Sequence, residues 1–558
     1  MRANAKIRQS RWASEIRRGA ALLAVLTIVA GMQALFAPSA AADNYVPISG
    51  SGSTWSQNAV DQWRRNLASN NGITINFAGV GSTQGRTDFR NGQVDFAVSE
   101  IPYGLSDGGV LDPNPARAFG YMPIVAGGTS FMYNLKIGGK RVTNLRLSGD
   151  TITKIFTQVI TRWDDRRIAA DNPGLALPGR TIVPVVRSDG SGTTAQFTAW
   201  MASQYAPQWD DYCHRNGRNV TPCGFTSFYP ANSMTSKAGS QGVAGFVSQT
   251  SSEGAITYVE YSYARSTGFP VVKVLNSANY YVEPTAPSVA VALLNAKLHP
   301  DLTQDLSQVY VNQDPRTYPL SSYSYMILPK DTTSNFSTAK GKTLSEFAYY
   351  FLCEGQQQAD SLGYSPMPIN LVQQAVDQVN QIPGATKKLD RNNLAHCNNP
   401  TVSPSGGNLV AQSAPQPSPC DKLGAPTQCA IGTGGDKAPT STRGGGNAGA
   451  SGGGPGAAAG ATNSAAAGGT GTLADGTVAG SGAATGTIDP TTGQAIDGAA
   501  AGSGSNSSGA SAVAVSVDVA DNRRQMVLAS LAAVLLFALI LGPPLVARTM
   551  RNREGTQT

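Results

Sequence analysis

Histidine is scarce in this sequence, with three residues in a chain of 558. His214 and His396 stand beside cysteines and His299 stands beside Pro300, so none is placed like the base of a catalytic triad. Gly190-Ser191-Gly192 also lacks the Gly-x-Ser-x-Gly pattern of a nucleophile elbow. We therefore expect a protein that is not an enzyme.

A basic folded surface is also absent. The chain has a net charge of +7, but residues 1–42 account for +5 and residues 521–558 for +3, so the remaining body carries −1. A protein that binds nucleic acid needs its positive charge on a folded face, where it can neutralise phosphates. The charge distribution therefore argues against nucleic acid as a partner.

The six cysteines lack the Cys-x-x-Cys spacing that is typical of zinc sites. Two pairs are close in sequence and leave a third, although other pairings are formally possible: Cys213 with Cys223, Cys420 with Cys429, and Cys353 with Cys397. Disulfides in an oxidising compartment are the favoured interpretation, and zinc ligation with His214 and His396 is the alternative. We expect no metal and no cofactor.

Both ends of the chain carry targeting patterns. Residues 1–42 combine basic side chains, the apolar segment Ala20–Gly31 and the small residues Ala40-Ala41-Ala42, which predicts a secretory signal peptide. Residues 522–547 include an uncharged run from Met526 to Ala547, which is long enough to span a bilayer as a helix. The prediction is a single-pass protein with its body outside the cell membrane and residues 548–558 in the cytoplasm.

Residues 399–521 are rich in Gly, Ala, Ser and Thr and contain almost no aromatic side chains. Such a composition buries too little apolar surface to fold, so we predict a flexible, disordered linker. The exception is the loop from Cys420 to Cys429, which would pin the start of the linker. The folded domain is accordingly predicted to span residues 43–398.

Within residues 43–398, short apolar runs alternate with helical patterns, which indicates an α/β fold. A domain of this size is expected to divide into two lobes with a ligand cleft between them. The predicted strands are Ile73–Phe77, Val94–Val98, Tyr121–Val125, Thr181–Val186, Ala255–Val259 and Ser324–Leu328. The predicted helices are Thr151–Ile160, Phe197–Tyr205, Val289–Lys297 and Leu344–Cys353.

Three loops share one pattern, in which an apolar run leads through small and hydroxyl residues into a helical pattern. They are Arg187–Thr194, Ile48–Trp55 and Gly79–Gly85. Each one alone is explained by an ordinary helix cap. Together they predict converging helix N-termini, whose free N–H groups suit a tetrahedral oxyanion.

Several segments in matching order resemble the phosphate-binding protein of the ABC-type phosphate transporter, a periplasmic-binding-protein-like family. They are Gly50–Thr54, Gly79–Thr83, Val94–Pro102, Trp163–Asp165 with Asn172–Gly174, Arg187–Thr193 and Gly254–Tyr261. The resemblance implies a two-lobed fold with an interlobe cleft. Lobe one would comprise residues 43–124 and 319–398, and lobe two would comprise residues 125–318.

The resemblance also implies a set of phosphate-binding positions. They are Thr54, Trp55, Ser82, Glu100, Arg187, Ser191, Gly192 and Thr193, with Asp189 holding the arginine in place. The ring of Trp55 is better explained by core packing. At Glu100 the family has an aspartate, which accepts a hydrogen bond from the protonated oxygen of phosphate. Glutamate keeps this chemistry with one more methylene.

Two functions follow as hypotheses. The first is a membrane-anchored protein that binds inorganic phosphate outside the cytoplasm and delivers it to the permease subunits of an ABC transporter. The alternative is a surface protein that keeps the binding-protein fold and serves as an adhesin, a scaffold or a sensor of phosphate or another oxyanion. The long linker, the membrane anchor and Glu100 motivate the alternative.

Overall fold

A computed structural model describes residues 45–394, 397–401 and 407–440. The predicted signal peptide (1–42), transmembrane helix (522–547) and cytoplasmic tail (548–558) lie outside these residues, as does the predicted linker beyond residue 440. Within the described ranges, no helix combines the length and the apolar character needed to cross a bilayer.

The strands form one large mixed sheet and four small ones. Eight strands pair in the order β11-β10-β12-β6-β17-β3-β1-β2. The strands are β1 Ile48–Gly52, β2 Ile75–Ala78, β3 Phe96–Ser99, β4 Ser106–Asp107, β5 Val110–Leu111, β6 Phe119–Tyr133, β7 Lys136–Ile137, β8 Lys140–Arg141, β9 Arg146–Leu147, β10 Val183–Arg187, β11 Thr235–Lys237, β12 Ala255–Glu260, β13 Lys273–Leu275, β14 Tyr281–Val282, β15 Lys297–Leu298, β16 Gln304–Asp305 and β17 Ser321–Pro329.

Helices follow most strands of the large sheet. The described helices are α1 Gln57–Asn71, α2 Ser82–Arg90, α3 Gly149–Phe156, α4 Arg166–Asp171, α5 Gly192–Gln204, α6 Ala206–Arg215, α7 Gly239–Val247, α8 Tyr261–Ser266, α9 Ala286–Leu293, α10 Ser307–Tyr310, α11 Thr338–Leu352, α12 Ala359–Leu362, α13 Ile369–Val379 and α14 Leu409–Gln412. Every strand and helix that we predicted within residues 43–398 overlaps one of these elements.

The long strand β6 joins the lobes, and its antiparallel partner β17 begins at their boundary. Strand β17 pairs with β6 along residues 119–128 and with β3 of lobe one. The last residues of β6, Thr129 to Tyr133, pair instead with β12 of lobe two. Each lobe adds its own parallel strands outside this pair. The two-lobed α/β fold implied by the resemblance is therefore confirmed.

Separate hydrophobic cores define the lobes. Phe96, Met326 and Phe347 belong to the core of lobe one, whereas Phe131, Trp163 and Phe197 belong to the main core of lobe two. All six side chains are fully buried. Burial of this kind stabilises each lobe as a unit, because apolar area removed from water contributes about 25 cal/mol per Å².

Part of the segment predicted as lobe two, residues 125–318, packs with lobe one. Val289 and Leu293 of α9, together with Leu306 and Val309, pack in the core of lobe one. The chain therefore contributes to the core of lobe one before residue 318, and Tyr318 and Leu320 then pack in the main core of lobe two. A residue belongs to the lobe whose core it packs in. The lobe boundaries implied by the family resemblance did not reveal that the chain crosses between the lobes here.

The three disulfides join the cysteines that sequence proximity pairs. They are Cys213–Cys223, Cys353–Cys397 and Cys420–Cys429. The second bridge ties the end of α11 to the chain that follows the last long helix. The third lies in a segment that we predicted to be linker.

Residues 407–440 form a strap that packs on the folded body, so the predicted start of the linker at residue 399 was wrong for these residues. Ala411 and Ala414 pack against α9. Further along the strap, Asp421 pairs with Lys273 at 2.6 Å and Asp436 pairs with Arg141 at 2.9 Å. Lys273 and Arg141 belong to lobe two. A few anchoring side chains hold a segment whose average composition resembles a disordered one.

Thr433 anchors the strap most deeply. It is fully buried, accepts a hydrogen bond from the Val271 N–H at 3.0 Å, and donates its one hydroxyl proton to a backbone carbonyl, that of Val271 or that of Thr143 at 3.0 Å. Thr433→Val keeps the shape but removes both bonds. We expect urea denaturation to show a loss of about 1–3 kcal/mol in the free energy of unfolding, because a buried N–H loses its acceptor.

Thr427→Val is the matched control, since Thr427 is exposed on the same strap. Its effect should stay within about 0.5 kcal/mol. Equal effects of the two substitutions would mean that the strap does not depend on the Thr433 hydroxyl.

Candidate anion-binding site

Four helix N-termini converge where the parallel strands end. Lobe one contributes α1 after β1 and α2 after β2, and lobe two contributes α5 after β10 and α7 after β11. The first N–H groups of a helix have no partner within the helix and carry a partial positive charge. This edge of the sheet therefore presents many neutral donors to one small volume.

The local sequence accounts for these tight strand-to-helix turns. Ser191 caps α5, because its hydroxyl accepts from the Thr194 N–H at 3.1 Å. Gly81 precedes α2 with a φ of 93°, where a side chain would be strained. A Cβ at Gly81 would also lie 2.6 Å from the Asp189 carboxylate of the opposite lobe. The hydroxyl and glycine positions thus shape the turns as well as the site.

The two lobes are in direct contact across the predicted site. The Gly192 N–H donates to Ser82 Oγ at 3.1 Å, and the Thr83 N–H donates to the Gly190 carbonyl at 3.1 Å. A second pair of loops meets where the Ser240 N–H donates to Thr54 Oγ1 at 3.0 Å. The structure therefore has closed lobes, with the predicted binding residues at their junction.

Arg187 is held rigidly in this junction. Its Nε donates to Asp189 Oδ1 at 2.7 Å, and a second guanidinium nitrogen bonds the other carboxylate oxygen. The Gly239 N–H also donates to Asp189, at 2.9 Å. The remaining guanidinium nitrogen points to Ser240 Oγ at 3.4 Å. A two-point pair of this kind fixes the plane of the guanidinium.

The same contacts shift the pKa of Asp189. Burial opposes ionisation of its carboxyl, but the hydrogen bonds and the positive charge of Arg187 outweigh it and lower the pKa below its ordinary value. Arg187 is only 3% exposed. The pair therefore presents a positive charge whose position is set before any anion arrives.

Glu100 lies on the other side of the junction and is fully buried. Its two carboxylate oxygens accept from serine hydroxyls, Ser82 at 2.7 Å and Ser324 at 2.5 Å. A Cβ added at Gly192 would lie 1.9 Å from Glu100 Oε2. Only glycine allows the α5 N-terminus to approach this carboxylate so closely.

Two of the predicted residues, Thr193 and Trp55, have different surroundings. Thr193 is buried at the start of α5, and its Oγ1 has no hydrogen-bond partner in the described part of the chain. The ring of Trp55 packs edge-on against Tyr364 with centroids 5.7 Å apart, and it belongs to the core of lobe one. Core packing is therefore confirmed as the role of this ring.

Ser240 and Ser324 are site residues that the sequence did not reveal. Ser240 follows β11, a three-residue strand with no apolar run to mark it. Ser324 lies inside a predicted strand, and neither its direction nor its neighbour Glu100 can be read from the local pattern. The Gly239-Ser240 pair at a helix start is a weak signal that would have pointed to the first of them.

Two cavities flank the junction. One of about 360 Å³ is lined by Thr83, Arg86, Arg218 and Phe228, and another of about 440 Å³ is lined by Glu100 and Gln196. A third cavity of about 470 Å³ lies against α9 and contains none of the predicted binding residues. Of the predicted binding residues, Glu100 is the one that lines any of these three cavities.

The charge balance of the junction indicates what it can bind. The predicted site residues include one guanidinium and two carboxylates, and Arg187 neutralises one of the carboxylates. The other carboxylate, Glu100, faces an array of neutral donors. An anion there would be favoured when one of its oxygens carries a proton that Glu100 can accept.

Comparison with known proteins identifies the class. A family model described as the PBP superfamily domain matches residues 37–354, more than half of the chain, and the protein belongs to that superfamily. Within it, the chain belongs to the phosphate-binding protein PstS family, as the resemblance indicated. It is 31% identical over 340 residues to the phosphate-binding protein PstS of Xylella fastidiosa, which covers 60% of this chain and 86% of that protein.

Other proteins match over a similar length. The phosphate-binding protein PstS 2 of Mycobacterium tuberculosis is 29% identical over 345 residues, covering 60% of this chain and 86% of that protein. Among solved structures, a phosphate-binding protein from Stenotrophomonas maltophilia is 18% identical with a TM-score of 0.39, covering 65% of this chain and 99% of that one.

The Arg187–Asp189 pair generates a pH-dependent prediction. Asp189→Asn should lower the free energy of unfolding by about 3 kcal/mol at pH 7, because it leaves a buried guanidinium unpaired. The pKa of Asp189 is lowered in the folded state. The contribution of its carboxylate to the free energy of unfolding is therefore complete above the ordinary pKa of an aspartate. That contribution is lost as the pH falls towards the folded-state pKa. Urea denaturation at pH 7 and pH 3 should show the difference between wild type and variant shrinking in acid.

Asp211→Asn is the matched control. Asp211 pairs with Arg215 on the surface, where both side chains are largely exposed. We expect a small effect of this substitution at either pH. A loss for Asp189→Asn that is equally large at pH 3 would contradict the assignment.

Proposed function

We propose that this protein binds inorganic phosphate outside the cytoplasm and passes it to an ABC-type importer. The observation that carries the proposal is the closed junction, where a fixed arginine and four helix N-termini face a buried carboxylate. The relatives in the PstS family are named phosphate-binding proteins. Binding and release, without chemical change of the ligand, is the proposed activity.

Each predicted residue has a role in the proposal. Thr54 and the backbone N–H of Trp55 would bind the anion from lobe one, together with Ser82. Arg187 and the first turn of α5, comprising Ser191, Gly192 and Thr193, would bind it from lobe two. Because ligands enter from both lobes, closure of the hinge strands is what completes the site.

Glu100 provides the proposed discrimination. Phosphate at neutral pH carries a proton that a carboxylate can accept, whereas sulfate carries none and is repelled. The longer side chain of glutamate is held by the two serine hydroxyls, of which Ser324 belongs to β17. These bonds support a fixed acceptor at a position where the family has the shorter aspartate.

The cellular setting remains a proposal from the sequence. The signal peptide (1–42) would direct the body out of the cytoplasm, and the helix at 522–547 would anchor it in the membrane. The linker beyond residue 440 would let the body reach the permease subunits while keeping it local. The permease is the proposed protein partner.

Isothermal titration calorimetry of the wild-type protein with phosphate and with sulfate tests the function. We expect a saturable phosphate isotherm and weaker or undetectable sulfate binding. Arg187→Ala should raise the phosphate Kd by about 100-fold or more, because a charged donor to a buried anion is lost. Arg166→Ala, at an exposed position on α4, should leave the Kd unchanged. Absence of phosphate binding, or tighter sulfate binding, would overturn the proposal.

Glu100→Gln tests the discrimination with almost no change in shape. The amide carries no negative charge, so repulsion of sulfate should disappear while phosphate loses its acceptor. We expect the ratio of the sulfate Kd to the phosphate Kd to fall by about tenfold or more, the equivalent of about 1.4 kcal/mol. Glu354→Gln, on the exposed turn after α11, should preserve the ratio. An unchanged ratio in Glu100→Gln would remove the proton-acceptor role.

A further inference from the structure

Ser240 stands between the two lobes at the start of α7 and is fully buried. Its backbone N–H donates to Thr54 Oγ1 at 3.0 Å, and its hydroxyl lies 2.9 Å from the same oxygen. Thr54 belongs to lobe one, so both contacts cross the junction. On the other side, the hydroxyl of Ser240 lies 3.4 Å from the free guanidinium nitrogen of Arg187.

The number of donors and acceptors determines where the protons point. A threonine hydroxyl has one proton and two lone pairs. The Ser240 N–H occupies one lone pair of Thr54 Oγ1. If the Ser240 hydroxyl donates to the second lone pair, both lone pairs of Thr54 Oγ1 are occupied. The hydroxyl proton of Thr54 is then directed away from Ser240.

Arg187 is compatible with this direction. A guanidinium can only donate, so Ser240 Oγ must act as its acceptor and keeps its own proton for another partner. Thr54 Oγ1 and the phenol oxygen of Tyr263 are the acceptors beside it. An anion next to Thr54 is a stronger acceptor than a neutral hydroxyl and takes the Thr54 proton, which leaves Thr54 Oγ1 to accept from Ser240.

We propose that Ser240 is a positioning residue for anion binding, which orients the Thr54 hydroxyl proton towards the ligand and links it to Arg187. This inference rests on the proposed phosphate function and adds a residue to its site. Hydrogen bonds in such a chain strengthen one another in a buried environment. The chain Arg187, Ser240, Thr54 makes one side of the site purely donating, opposite the accepting carboxylate of Glu100.

A double-mutant cycle measured by phosphate calorimetry tests the role. Ser240→Ala keeps the backbone N–H but removes the hydroxyl, and we expect the phosphate Kd to rise by about tenfold. In a Thr54→Val background, where the oriented hydroxyl is gone, the same substitution should change the Kd by less than about threefold. Ser248→Ala, at a half-buried position directly after α7 and at the opposite end of the helix from Ser240, is the control and should leave the Kd unchanged.

Equal losses for Ser240→Ala in both backgrounds would overturn the proposal, because the hydroxyl would then act independently of Thr54. An unchanged Kd in Ser240→Ala would overturn it as well. If wild type binds no phosphate, both the proposed function and this role of Ser240 fail. If wild type binds phosphate and Ser240→Ala leaves the Kd unchanged, only the role of Ser240 fails.

A second pair of variants covers the case in which Ser240→Ala does not fold. Ser240→Thr and Ser240→Val have nearly the same shape and differ in the hydroxyl. Melting temperatures show whether each protein is folded, and the phosphate Kd of the valine variant should exceed that of the threonine variant by about tenfold. Equal Kd values for this pair would contradict the role of the hydroxyl.

Discussion

The close approach of Gly192 to Ser82 and Glu100 is the contact on which the site depends. It brings the N-terminus of a lobe-two helix against a hydroxyl and a carboxylate of lobe one. A side chain at Gly192 would overlap Glu100, and a side chain at Gly81 would crowd Asp189. The two glycines thus allow each lobe to reach the charged group of the other. Without this close approach, the hydrogen-bond donors of the two lobes would not face a common volume.

The connections between the lobes explain how such a contact can form and open. Strand β6 pairs in both lobes, β17 begins directly after residues that pack in lobe two, and the chain also crosses before α9. The strap at residues 407–440 adds a further connection, since it begins against α9 and ends on lobe two. A hinge made of continuous strands keeps the lobes in register as they move. The strap therefore contacts both lobes in the closed structure.

Local signals in the sequence were sufficient for most of the fold and for the wall of the site formed by Arg187. The anion loops follow apolar strands, and Arg187 and Asp189 are only two residues apart. Ser240 and Ser324 were not predicted because their roles depend on partners 186 and 224 residues away. The strap was missed for a different reason. Thr433, Asp421 and a few other residues anchor it, and they are lost in an average over a Gly/Ser-rich segment.

The distribution of charge limits which forces can bind the anion. Arg187 is the single cation among the predicted ligands, and its charge is already shared with Asp189. Most of the attraction must therefore come from backbone N–H groups and hydroxyls, whose geometry is fixed by the helices. Such donors act at short range in a buried site, where salt screens them little. On the proposed function, the site would select the position of protons on the ligand more than its total charge, and the buried carboxylate of Glu100 would make this distinction.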